Sequence, residues 1–174
     1  MGYVVPVVIL KAIWTFLSLE CFASVTFFPR TEWSEIISED SSFAIKFPTQ
    51  PTMLNLTISN RFVTFDVRQY CSEGPEGLLF WASYSDLYTR PLDINDTQKA
   101  LDKFVDSEAR DSGGRIVDQT DISRDGHRRR QFIIALNDDH LLKGRTFVRG
   151  RIYEVAVHAP SRLINSGVVN EFLD

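Results

Sequence analysis

The sequence predicts an α+β domain built on a central, mostly antiparallel sheet with helices packed against it. Three observations carry that expectation. Short runs of apolar residues with a period of two recur along most of the chain. Turn dipeptides such as Asp125-Gly126 separate several of them, and hairpins place successive strands antiparallel. The period lengthens to that of a helix only around Leu101 to Ala109 and near the C-terminus. With 174 residues, 44% of them hydrophobic, the chain has room for one domain with a sizeable core.

Residues 1–28 stand apart from the rest. Val4-Val5-Pro6-Val7-Val8-Ile9-Leu10 precedes Lys11, and an apolar stretch then runs from Ala12 to Leu19. A membrane span would have to carry Lys11 and Glu20, each costing about 2.5 to 3.5 kcal/mol near the bilayer centre. A secretory signal fits better, because Cys21-Phe22-Ala23 puts small residues where a signal peptidase inspects them. The segment is therefore expected to be a signal peptide, or alternatively an N-terminal anchor, followed by a single domain over residues 29–174. Cleavage after Ala23 would leave Cys71 as the one thiol, expected as a half-buried strand residue, so no disulfide could hold the fold.

After a short linker with Trp33 as a packing residue, Phe43, Ile45 and Phe47 alternate with Ala44 and Lys46 before Pro48 stops the run. This is a strand with one buried face. Each such side chain contributes about 1.5 to 3 kcal/mol when fully buried. A second extended segment covers residues 53–58. In residues 61–70, Val63, Phe65 and Val67 share one face and Thr64, Asp66 and Arg68 the other. Glu73-Gly74-Pro75-Glu76-Gly77 is turn chemistry, and Leu78-Leu79-Phe80-Trp81-Ala82 is apolar on both faces, as in a central strand. These two strands read as a hairpin.

Asn95 or Asp96 is placed to cap a helix bearing Leu101, Phe104, Val105 and Ala109, and Gly113-Gly114 ends it. Residues 115–123 return to extended character, and Asp125-Gly126 turns the chain into a partner strand over 127–136. Asn137-Asp138-Asp139 leads to a strand at 140–149, and Gly150 to another at 151–158, where Tyr153, Val155 and Val157 share a face. Pro160 and Ser161 open a closing helix that contains Val168, Val169, Phe172 and Leu173.

No motif names a reaction. His127, His140 and His158 have no metal-ligand spacing, and Asp138-Asp139-His140 reads as a hairpin turn before it reads as a ligand set. There is no nucleophile elbow, phosphate loop or dinucleotide fingerprint. Gly113-Gly114 follows a helix, which is the wrong polarity for phosphate. Asp118, Asp121 and Asp125 lie on or beside one strand, a spacing that does not separate a site from a solvated edge. No cofactor and no metal are expected.

Net charge is -4, which argues against nucleic acid as a partner. Locally the balance reverses. Between Arg124 and Arg162 nine basic residues face four acidic ones. Arg128 or Arg130 beside Arg145 or Arg149 would make a basic docking patch for an acidic protein or an anionic lipid, unless the charges only keep a sheet edge soluble.

The order of four segments resembles the PsbP-like family, the extrinsic photosystem II subunits and their bacterial relatives. They are Phe43-Ala44-Ile45-Lys46-Phe47-Pro48, Asp125-Gly126-His127, Arg149-Gly150-Arg151-Ile152-Tyr153-Glu154-Val155, and Asn170-Glu171-Phe172-Leu173-Asp174, spread over residues 33–174. The resemblance implies an α/β/α sandwich and a non-catalytic role in binding or assembly, and by fold it extends to a small Ran-binding protein. Its final helix usually runs on into Ser-Phe, whereas this chain stops at Asp174. The metal-binding and docking residues of plant members have no counterparts here. The expectation is an exported binding or assembly domain with a protein partner, an acidic one if the patch is used, and transient membrane contact through the N-terminal segment. Two alternatives are a small metal-dependent or Asp/His hydrolase and a membrane-anchored envelope protein.

Overall fold

A computed structural model describes residues 33–38, 41, 43–59, 64–86, 94–124, 127–136 and 139–174. The expected signal or anchor segment, the Asp125-Gly126 turn and Asn137-Asp138 lie outside the described residues.

The architecture is α+β. Nine strands are described: β1 (Ser34–Ile37), β2 (Ala44–Phe47), β3 (Thr52–Ser59), β4 (Thr64–Glu73), β5 (Leu79–Ser85), β6 (Arg115–Arg124), β7 (His127–Ala135), β8 (His140–Val148) and β9 (Ile152–Pro160). Helix α1 (Ile94–Asp111) lies between β5 and β6, and α2 (Gly167–Leu173) closes the chain. Strands β3 to β9 form one sheet in the order β3-β4-β5-β9-β8-β7-β6, every adjacent pair antiparallel.

The apolar alternation of each strand sorts into two clusters. Tyr70, Phe80, Ala82, Tyr84, Tyr153, Val157 and Ala159 point to one face, where β1, β2 and α2 supply Ile36, Phe47, Val169, Phe172 and Leu173. Their strand neighbours Cys71, Trp81, Phe132, Ile134, Leu142 and Ala156 point to the other, where α1 supplies Val105 and Ala109. Burial on both sides explains why β5 reads as continuously apolar. The sheet's edges are β3 and β6, and β6 is irregular between Ile116 and Asp118, which leaves Val117 exposed.

Several local expectations change. The segment 43–47 forms a strand, but it pairs with β1 in a separate two-stranded unit and does not join the large sheet. β1 itself falls where a linker was expected: Ser34-Glu35-Ile36-Ile37 has little alternation of its own and is held by pairing with β2. Cys71 is buried, because β4 beyond Gln69 is covered on both faces. The first helix starts at Ile94, so Asn95 and Asp96 lie in its first turn and not ahead of it. Pro160 still belongs to β9, opposite His140, and a 3-10 turn over Ser161–Leu163 delays the closing helix to Gly167.

Candidate functional site

The strand register assembles a polar row that crosses the α1 face of the sheet. Reading from β4 to β6, the facing residues are Gln69, Ser83, Glu154, Thr146, Arg130 and Asp121. Directly opposed residues of an antiparallel ladder project to the same side, so the row is a consequence of pairing alone. Four of its members are buried among the apolar neighbours: Gln69 is 1% exposed, Glu154 6%, Arg130 4%, and Thr146 is fully buried. Helix α1 adds Glu108, 3% exposed, between Val105 and Ala109, the two residues that seat the helix on Trp81 and its cluster.

Chemistry concentrates at the two glutamates. The Trp81 indole N–H donates to Glu154 Oε2 at 3.2 Å and the Ser83 hydroxyl to the same oxygen at 3.3 Å. Oε1 of Glu154 has no hydrogen-bond partner among the described residues. Burial pushes the Glu154 carboxyl up to about 7, against the two hydrogen bonds that favour its ionised form. Glu108 is pushed well above the usual carboxylate range, first by burial, then by the negative charges of Glu154 and Asp111. Gln69 is a further anomaly, since neither its amide oxygen nor its nitrogen has a partner among the described residues. Amides buried without partners cost about 1 to 3 kcal/mol, so an atom set of this kind requires an explanation.

Arg130 gives the row its only cation, and that cation is committed. Its guanidinium donates to Asp102 of α1 at 2.7 Å and to Asp121 of β6 at 2.6 Å. It is an internal fastener between helix, strand and edge, not a docking residue. The four residues of the expected patch do not share one face, and the register gives the reason. Arg145 is directly opposite Gln131, so it points to the face opposite Arg130. There it donates to the Leu173 carbonyl and to Asp174 at 3.1 Å, tying down the end of α2. Lys143, buried on the same face, donates to Asn170 Oδ1 at 2.9 Å and Asn165 Oδ1 at 3.2 Å. Burial and the neighbouring Arg145 lower the Lys143 pKa, opposed by Asp174.

Two of the four expected patch residues stay outward, and both sit toward the same end of the sheet. Arg128 is exposed and donates to Gln98 at 2.8 Å, and Arg149 is exposed in the turn between β8 and β9. One row inward, on the α2 face, Arg68, Tyr84, Tyr153, Phe147 and Arg129 lie side by side across five strands. Phe147 stacks on Tyr153 at 4.6 Å and Tyr153 on Tyr84 at 6.1 Å. Arg129 lies 5.4 Å from the Phe147 centroid, while Arg68 and Arg151 lie 5.9 and 5.1 Å from that of Tyr84. Arg151 also pairs with Asp86.

His140 and His158 stack on one another, centroids 4.9 Å apart, and burial lowers the His158 pKa, with a smaller contribution from His140. His158 and Glu154 share a face, but four residues of extended strand put about 13 Å between them. Asp139 has a left-handed backbone (φ 59°) and accepts the Ser161 hydroxyl, so it acts as a turn residue. Among the described residues, no three His, Cys, Asp or Glu side chains group as metal ligands.

No sequence signal marked the polar row, because a period-two strand places Glu154 and Gln69 on a face without saying what covers it. No family model matches this chain, and no curated protein matches it.

Proposed function

We propose that the chain is a non-catalytic binding or assembly domain that docks an acidic protein partner through the arginine-rich end of its sheet. The observation that carries this reading is the exposure of Arg128 and Arg149 near one set of strand ends, with Arg129 over the Phe147 ring just behind them. Aromatic backing holds the Arg129 guanidinium in place and keeps its charge at this end of the sheet. The acidic remainder of the surface repels a partner of like charge elsewhere and so favours approach from this end.

The reading treats the chain as a PsbP-like domain, an α/β/α sandwich in which the second cover is composite, made of β1, β2 and α2. Support comes from the antiparallel sheet with apolar clusters on its two faces, and from the place of the quoted segments in β2, β9 and α2. It also takes residues 1–28 as an export signal, on their sequence alone.

The test is quantitative capture from native extract with the Arg128→Glu/Arg149→Glu variant. We expect salt-sensitive loss of a defined acidic partner and an unchanged melting temperature, since neither side chain is buried. Equal capture by variant and parent would reject the surface. The mature N-terminus read from the same preparation tests export.

A further inference from the structure

We propose that β3 is a self-association edge, at which two copies of this chain pair antiparallel about a two-fold axis normal to the sheet. The two edges of the sheet are built differently. β6 has features that keep an edge single: a register shift between Ile116 and Asp118, and the charged side chains Arg115, Asp118, Asp121 and Arg124. β3 has neither. Its eight residues, Thr52 to Ser59, include no charge, proline or glycine, and they pair with β4 in unbroken register. Among the described residues no other strand adjoins β3, and no loop backbone hydrogen-bonds to it. Every second residue of β3 therefore directs its N–H and C=O away from β4, toward a strand that this chain does not supply among those residues.

The occupant is a second copy because the charges behind the edge make β3 complementary to itself. Asn55 lies opposite Arg68 of β4 and Thr57 opposite Asp66, whose carboxylate accepts the Thr57 hydroxyl at 2.7 Å. Outward backbone groups sit on alternate residues, so two copies pair residues of equal parity and each face of the sheet continues as the same face. With Leu56 opposite its own copy, Asn55 meets Thr57 of the second copy. One row across the joined sheets then reads Arg68, Asn55, Thr57, Asp66, with opposite signs at its two ends. A two-residue slip one way sets Asn55 against Asn55 and puts both Arg68 residues in one row; a slip the other way does the same with Asp66. Only the central register sets plus against minus. Pairing β3 with β6 of another copy would build an open array, which the charges and irregularity of β6 oppose, so the assembly closes at two. One strand edge is small against the roughly 1,200 Å² of a stable interface, and the dimer is accordingly weak and driven by concentration.

This inference does not depend on the docking reading, and its test shares no variant with that one. Sedimentation equilibrium of the full chain over a concentration series should give a mean mass that rises from one chain toward two and stops there. Asn55 and Thr57 are exposed, so both can be replaced without disturbing a core. Asn55→Lys/Thr57→Lys sets like charges against each other twice across the axis and should weaken association by about tenfold. Asn55→Glu/Thr57→Lys sets opposite charges there, and within each chain it faces Arg68 and Asp66 with the opposite sign. That variant should associate at least as well as the parent. The parent's series stands even if a variant fails to fold. A constant single-chain mass, growth beyond two chains, equal association of parent and double-lysine variant, or equal loss in both variants would overturn the proposal. Association through residues 1–28 would ignore both pairs of substitutions and is rejected by the same comparison.

Discussion

A carboxyl group with a raised pKa makes a definite statement about stability. Unfolded, Glu154 titrates near 4.5; folded, it is held at about 7, and Glu108 moves in the same direction. Between those values the native state keeps protons that the unfolded chain has released, so stability falls as pH rises through the window. The contribution is complete below the unfolded value and gone above the folded one. For Glu154 the difference corresponds to on the order of 3 kcal/mol. His158 acts in reverse: its lowered pKa gives stability that is present above 6.5 and is lost as pH falls through the folded value. We therefore expect a higher melting temperature on the acid side of neutrality than at about pH 8, and Glu154→Gln should flatten that slope. A melting temperature that climbs steadily from acid to alkaline pH would contradict the burial of the two glutamates.

Single residues of this kind matter because they fasten whole elements. The basic residues of the last third are mostly spent inside the molecule: Arg130 on α1 and β6, Lys143 and Arg145 on α2, Arg151 on the loop after β5, and Arg162 on Glu76. Close contact is the other fastening device, and β8 depends on it. At Gly144 an added Cβ would lie 2.5 Å from Phe132 Cζ and 2.9 Å from Ala156 Cβ, so the ring packs against bare backbone. Gly144→Ala should cost about 1 to 3 kcal/mol in denaturant unfolding, through displacement of Phe132. A neutral outcome would mean that the ring relocates freely. The strands themselves were legible in the sequence wherever alternation was strong, as at Tyr153, Val155 and Val157. β1 was not, since its order comes from its partner. The site was illegible for a related reason: Glu154 lies between Tyr153 and Val155 and reads as a solvent-facing residue until register places it under a helix. Arg130 and Arg145 looked like neighbours because sequence spacing gives the face only within one strand, not across a pair.

For the whole molecule, the consequence is one sheet serving two cores. Phe172 of α2 packs on Phe47 and Phe80, ring centroids 5.2 and 5.0 Å away, on one face. Val105 of α1 belongs to the other face with Trp81 and Phe132. A sheet lies between them, and side chains on its two sides share no partner, so their packing energies should be independent although the strands are common. Phe172→Ala should cost about 3 to 5 kcal/mol and Val105→Ala less, each by the cavity it leaves. In a double-mutant cycle measured by denaturant unfolding, the two losses should add to within about 0.5 kcal/mol. Both variants should still unfold in a single transition, because the adjacent strands β4, β5, β9 and β8 each have residues in both clusters. Coupling well beyond that margin would mean that the two faces repack together through the backbone. Two separate transitions would mean that α1 or α2 melts alone, and the sheet would then be the only cooperative unit of the fold.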